Sequence, residues 1–155
     1  MSVIDPVIPR AFDKACKFQR IEPVRFALVD RFYRTQGYKV KAGAGERIYA
    51  IADEGGSFIA AARLVPQTSG HYWLRNLLVV AEWRGRGIAT GLMCSLLPDL
   101  APQGCYCFAL PHLNDFYRGL GFTQNPPHCP DDILRTYNTY RTRGRDWILM
   151  GYIQD

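Results

Sequence analysis

The sequence, 155 residues long, has no uninterrupted apolar run of about 18 residues, the length a membrane-crossing helix needs. Its start, Met1-Ser2-Val3-Ile4-Asp5-Pro6, lacks the basic and apolar regions of a secretory signal. Together these absences predict a cytoplasmic protein without a membrane partner. Cysteine is sparse and odd in number: Cys16, Cys94, Cys105, Cys107 and Cys129. Without a secretory signal these read as reduced thiols rather than as a disulfide framework. Cys105 and Cys107 stand two apart in a strand-like run and share one face, but no second Cys or His pair has a recognised ligand spacing. They read as small core hydrophobes, and no metal is expected. Internal repeats and low-complexity tracts are also missing. Charged residues make up 21% against 48% apolar, which excludes intrinsic disorder.

What is present fits one globular domain over 1–155, with 1–16 as a loosely ordered N-terminal arm. The net charge is +5. That balance suits nucleic acid or a ligand carrying several phosphates. Basic residues cluster only at Arg84/Arg86 and from Arg135 to Arg145.

Periodicity and turn chemistry give the element order. Lys17 to Ile21 reads as a strand, and Glu22-Pro23 as a helix start. Val24, Ala27, Leu28 and Phe32 recur at helical spacing before Gly37 stops the helix. Lys39 to Gly45 reads as loop. Arg47–Asp53 and Ser57–Val65 are strands around an Asp-Glu-Gly-Gly hairpin signal. Tyr72–Val80 is a further strand. A helix follows from about Gly87 to Leu97, with Ile88, Leu92 and Leu96 on one stripe and Pro98 ending it. Cys105–Leu110 is a strand. Asn114 reads as the cap of a short helix to Leu120. Phe122–Gln124 starts another strand. Asp131–Arg143 is a helix with Ile133, Leu134, Tyr137 and Tyr140 on one face, acids first and arginines last. Trp147–Ile153 is the final strand. Hairpins plus a strand–helix–strand crossover predict an α/β (α+β) fold, with a mixed sheet of about six to seven strands flanked by helices.

The segment Asn76-Leu77-Leu78-Val79-Val80-Ala81-Glu82-Trp83-Arg84-Gly85-Arg86-Gly87-Ile88-Ala89-Thr90 carries the chemistry. A strand runs into a glycine-rich loop, and the loop opens a helix. Free N–H groups at a helix N-terminus are a ready site for phosphate. Gly85 and Gly87 allow positive φ and close approach, and Arg84 and Arg86 add charge-assisted hydrogen bonds. A Walker-type loop is excluded because no Lys stands here. The dinucleotide fingerprint fails at its third glycine, which is Thr90. It also lacks the acid expected about 20 residues further on.

The remaining pattern, Arg/Gln-x-x-Gly-x-Gly/Ala, is met by Arg84-x-x-Gly87-x-Ala89. Leu77-x-Val79 before it, and Phe116-Tyr117-Arg118-Gly119-Leu120-Gly121-Phe122 after it, complete a likeness. The sequence resembles the GNAT acetyltransferases from about Lys17 onward, most sharply over Asn76–Phe122.

The resemblance implies a mostly antiparallel sheet whose fourth and fifth strands splay around the pantetheine arm of acetyl-CoA. Backbone of Leu77, Leu78 and Val79 would pair with the pantetheine amides. Arg84, Gly85, Arg86, Gly87, Ile88, Ala89 and Thr90 would hold the pyrophosphate. A backbone N–H near Val79 would hold the thioester oxygen, a type of donor worth about 3–4 kcal/mol. Tyr117 matches the tyrosine that returns a proton to the departing thiolate, with Phe116 beside it. The family's Asn before this tyrosine is Leu110 here, and Asn114 is a candidate substitute. The glutamate base of some members is also absent. Glu82, His112 and Asp115 lie near the motifs, and no base is assigned. The partners implied are acetyl-CoA and an amine, for a monomer or homodimer. The amine would enter between Glu22–Gln36 and Asn125–Arg145, whose arginines would favour an acidic acceptor over a polyamine. Three rival readings stand beside this one. They are another acyl-CoA, a non-catalytic coenzyme A-binding regulator, and nucleic-acid binding through Arg135, Tyr137, Tyr140, Arg141, Arg143 and Arg145. For the last, a solvated basic helix face is the preferred explanation.

Overall fold

Seven strands hydrogen-bond in the order β1-β2-β3-β4-β5-β7-β6 in the computed structural model, which describes residues 16–100 and 102–153. The strands are β1 (Lys17–Ile21), β2 (Arg47–Ala52), β3 (Phe58–Pro66), β4 (Tyr72–Val79), β5 (Cys105–Ala109), β6 (Thr123–Gln124) and β7 (Ile148–Tyr152). The helices are α1 (Phe26–Thr35), α2 (Ile88–Leu96), α3 (Asn114–Gly119) and α4 (Asp131–Thr142). β1 and β2 are antiparallel, from Lys17 opposite Ala52 to Ile21 opposite Ile48. Tight hairpins join β2 to β3 and β3 to β4. They close through Asp53 N–H to Ser57 O (2.9 Å) and Gln67 N–H to His71 O (2.8 Å). β4 and β5 are parallel, pairing at Tyr72–Cys105 and Trp73–Tyr106. β7 runs antiparallel to both β5 and β6. The expected mixed, mostly antiparallel sheet is therefore the observed one.

Packing divides the chain into two compact units: residues to Arg63 with Asn76–Leu96, and Leu64–Arg75 with the residues from Leu97 onward. In the first unit, Ile48–Ala52 and Ile59–Ala62 are buried strand residues, and Ile88, Leu92 and Leu96 form the buried stripe of α2. The stripe expected on the first helix is corrected. Val24 is 84% and Leu28 48% exposed, while Val29, Phe32 and Tyr33 are buried. The cause is local. Pro23–Arg25 forms a 3₁₀ turn before α1 begins, which takes Val24 off the helix, and within α1 the buried face is the i, i+3, i+4 set Val29, Phe32 and Tyr33. Gly37 ends the helix at φ 89°, a conformation that suits glycine.

In the second unit, Tyr106, Ile133 and Leu149 form a buried cluster, against which Trp73, Phe108, Cys129, Leu134 and Tyr137 pack. The helix face expected on α4 thus meets the sheet. Cys105 and Cys107 are buried, as small core residues. The arm expected over 1–16 lies outside the described residues except for Cys16. No described helix is long and apolar enough to cross a membrane.

Candidate active site

β4 carries the first part of the site. Its backbone takes a left-handed step at Asn76, φ 56°, one residue before Leu77. Such a step costs a non-glycine residue about 1–2 kcal/mol, so something must hold it. The holding groups are buried in the first unit. Tyr33 OH donates to the Asn76 carbonyl at 2.6 Å, and Arg63 Nη1 donates to Asn76 Oδ1 at 2.7 Å. The same guanidinium grips Glu46 in a fork, Nε to Oε1 at 2.8 Å and Nη2 to Oε2 at 2.9 Å. The Gly43 N–H donates to Glu46 Oε2 at 2.6 Å. Burial pushes the Tyr33 hydroxyl pKa up, with smaller opposing contributions from Arg63 (down) and Glu46 (up). Sequence reasoning missed this network. Its one signal was a charged residue, Arg63, inside the apolar run of β3.

Past Val79 the chain makes a 3₁₀ turn, Ala81–Trp83, and enters the glycine-rich loop. Arg84 Nε donates to the Val79 carbonyl at 3.0 Å and braces that turn. The Arg86 guanidinium lies 4.8 Å from the centre of the Trp83 ring. Gly85 and Gly87 have φ 77° and 76°, so both glycines are required by conformation. The first helical closure of α2 is Gly91 N–H to Gly87 O at 3.0 Å. Among the described residues, the N–H groups of Ile88, Ala89 and Thr90 have no backbone acceptor. They face a cavity of about 150 Å³ lined by Val79, Trp83, Arg84, Gly85, Gly87, Ile88, Ala89 and Thr90. Of the loop residues named from sequence, Arg84, Gly85, Gly87, Ile88, Ala89 and Thr90 line this cavity, while Arg86 is not part of its lining and lies over the Trp83 ring. Free amides, a helix N-terminus and the Arg84 side chain fit a pyrophosphate.

Asn114, Phe116 and Tyr117 belong to the second unit. Asn114 does not cap α3: it is already helical, at φ −54° and ψ −49°, and Leu113 precedes the helix. Its Oδ1 instead accepts from Gln124 Nε2 at 2.7 Å. The Tyr117 ring is only 6% exposed and packs edge-on against Phe116 (5.1 Å) and Phe122 (5.2 Å). Its hydroxyl makes no hydrogen bond among the described residues, yet no described buried side-chain oxygen or nitrogen lacks a partner. The oxygen of this buried ring is therefore not wholly sealed from solvent. Tyr33 and Tyr137, by contrast, spend their hydroxyls on backbone carbonyls. Burial raises the Tyr117 pKa, helped by Cys107 and Cys105, so the phenol stays protonated at neutral pH.

A mixed sheet whose fourth strand runs through a glycine-rich loop into a helix defines an α/β architecture. The sequence narrows that class: it matches the acetyltransferase (GNAT) family over residues 14–122, and the chain belongs to that family. No curated protein matches it significantly. Solved structures are similar in fold. Escherichia coli ElaA is 14% identical with a TM-score of 0.62, over 90% of this chain and 99% of that one. A Corynebacterium glutamicum protein described as histone acetyltransferase HPA2 and related acetyltransferase is 11% identical with a TM-score of 0.61, over 91% and 97%. Arabidopsis thaliana NAA60, in complex with acetyl-CoA, is 16% identical with a TM-score of 0.55, over 88% and 97%.

Proposed function

We propose that this chain is an N-acetyltransferase, binding acetyl-CoA and passing the acetyl group to a primary amine by direct attack in a ternary complex. The observation that carries this reading is the cradle of free Ile88, Ala89 and Thr90 amides beside Arg84 and the two positive-φ glycines. The coenzyme A pyrophosphate is the ligand class it suits. The acetyl-CoA complex of the similarly folded NAA60 supports the same donor. Leu77, Leu78 and Val79 follow the left-handed step of Asn76, and their backbone is proposed to pair with the pantetheine amides.

In the reaction the amine lone pair forms a C–N bond to the thioester carbonyl carbon. The C–S bond breaks and its electron pair leaves on sulfur. The nitrogen loses one proton, and the thiolate takes one up. Tyr117 is proposed as the donor of that proton, supported by its motif and by a protonated hydroxyl that makes no hydrogen bond among the described residues. The two packed units are proposed to form one acetyltransferase domain, since the family match runs through both.

The test is thermal denaturation with and without acetyl-CoA. At a hundredfold excess over Kd, binding stabilises by about 2.7 kcal/mol, or about 5–10 °C for a domain of this size. Gly87→Glu, which places a bulky anion in the cradle, should erase the shift. A wild type with neither a shift nor calorimetric heat at millimolar acetyl-CoA would remove the reading. Binding without acetylation of any amine would reduce the protein to a coenzyme A-binding one.

A further inference from the structure

Four aromatic rings of the second unit meet in a continuous half-buried patch. Trp73 lies 5.0 Å from Phe108 and 6.3 Å from Tyr140, and Tyr140 lies 4.9 Å from Trp147. Phe108 closes the group at 6.2 Å from Tyr140. Two guanidinium groups stack on it: Arg75 stands 4.2 Å from the Trp73 centroid and Arg145 5.3 Å from that of Trp147. Among the described residues neither has a carboxylate partner. Arg63, the other arginine of these central strands, is by contrast saturated by Glu46 and Asn76.

A guanidinium over an indole ring, with no hydrogen-bond partner of its own among the described residues, offers the N–H fork that matches a carboxylate. Arg75 is half-buried on β4, so part of its solvation is already given up. It also stands two residues before Leu77 along the strand, at most about 7 Å of chain from the backbone proposed to meet the acetyl donor.

We propose that the Trp73/Phe108/Tyr140/Trp147 patch with Arg75 is the acceptor subsite, and that it takes an amine whose own molecule carries a carboxylate and an apolar or aromatic body. This rests on the acetyltransferase reading. Arg145 adds positive charge on the same patch, so a polyamine is repelled where an amino acid or acidic peptide end is drawn in. The sequence pointed to arginines of the 125–145 segment for this preference. Arg141 and Arg143 are exposed on α4 and after it, and nothing in the structure ties them to the aromatic patch. Of that segment's arginines only Arg145 reaches the patch, and Arg75, on the strand itself, joins it there.

The experiment is calorimetric titration of the full chain with N-acetyl-L-phenylalanine, N-acetyl-L-phenylalaninamide and spermidine, repeated with Arg75→Gln and Arg75→Lys. The wild type should bind the carboxylate about tenfold or more tighter than the amide, the range of one charge-assisted hydrogen bond, and should not bind spermidine. Arg75→Gln should bring the ratio to near one, and Arg75→Lys should keep part of it. The wild-type ratio decides even if a variant misfolds. A ratio near one, no heat from either phenylalanine ligand at millimolar concentration, or a ratio untouched by Arg75→Gln would overturn the proposal. So would sedimentation showing a dimer that abolishes ligand binding, since the patch would then be an interface between copies. The acetyl-CoA shift is read separately. A normal shift with no carboxylate preference removes the subsite alone, and a carboxylate preference with no shift removes the acetyl donor alone.

Discussion

Replacing Arg63 by methionine tests the network that holds β4 in its left-handed step. The Arg63 and Glu46 side chains are 9% and 5% exposed, so the pair is out of water and its fork supplies most of what the carboxylate has lost. Removing Arg63 leaves Glu46 with the Gly43 N–H alone and strips Asn76 Oδ1 of its donor. Breaking one side of a buried pair costs about 3–5 kcal/mol. For a domain of this size that lowers Tm by about 6–20 °C, a large part of a total stability of about 5–15 kcal/mol. The assay is a double-mutant cycle of Arg63→Met, Glu46→Leu and the double variant, by urea and thermal denaturation followed by circular dichroism. The double variant has no unpaired charge, so it should regain most of the single-variant loss. Asn76 would still lack its donor, so recovery should stop short of wild type. An Arg63→Met loss below about 1 kcal/mol, or a double variant no better than the worse single one, would refute the reasoning.

Three further outcomes are expected. Tyr117→Phe keeps the packing and removes the hydroxyl, so turnover should fall about 10²–10⁴-fold with acetyl-CoA affinity nearly unchanged, measured by thiol release and calorimetry; full activity would make Tyr117 a core residue only. Gly104→Ala should destabilise by about 2–4 kcal/mol, because its φ is 68° and a Cβ there would run into the Tyr152 carbonyl, whereas Gly85→Ala, with open space at φ 77°, should cost about 1–2 kcal/mol in denaturant titrations. Asp132 is partly desolvated, which raises its pKa. The Ser69 N–H, the Thr68 hydroxyl and the Ile133 N–H outweigh this and hold the pKa below 3.8. Its stabilisation is then present above that value and lost as pH falls through the lowered one. The stability gap between wild type and Asp132→Asn should be larger at pH 7 than at pH 3 in urea titrations, and a gap that does not shrink in acid would count against this account.

The order of the elements was legible because each buries one regular face, and periods of 2 and 3.6 survive in the sequence. The loop was legible too, since glycines at positive φ and arginines before a helix leave a local trace. What was hidden depends on partners far along the chain. Arg63 and Glu46 stand 17 residues apart, and each alone reads as a surface charge. The positive φ of Asn76 depends on Arg63 and Tyr33, so no local pattern announces it. The α1 face was misread because Val29, Phe32 and Tyr33 have helical spacing just as Ala27, Leu28 and Phe32 do, and only the packing decides which of the two stripes is buried. Asn114 was misread as a cap because the helix starts on it rather than after it.

The connection between β6 and β7 has a consequence for how this protein can change. Its two ends are pinned side by side: Gln124 pairs with Met150, and the Asn125 N–H reaches the Leu149 carbonyl at 2.9 Å. Everything between, α4 with Tyr137 and Tyr140 included, is an excursion that returns to its starting point. Doubling the length of such an excursion costs only about 0.6 kcal/mol of closure entropy. It also lies beyond residue 122, where the family match stops. Evolution, or an engineer grafting from a relative, can lengthen or replace its exposed part while the glycine-rich loop stays as it is, provided that a residue in the place of Ile133 still covers Tyr106 and Leu149.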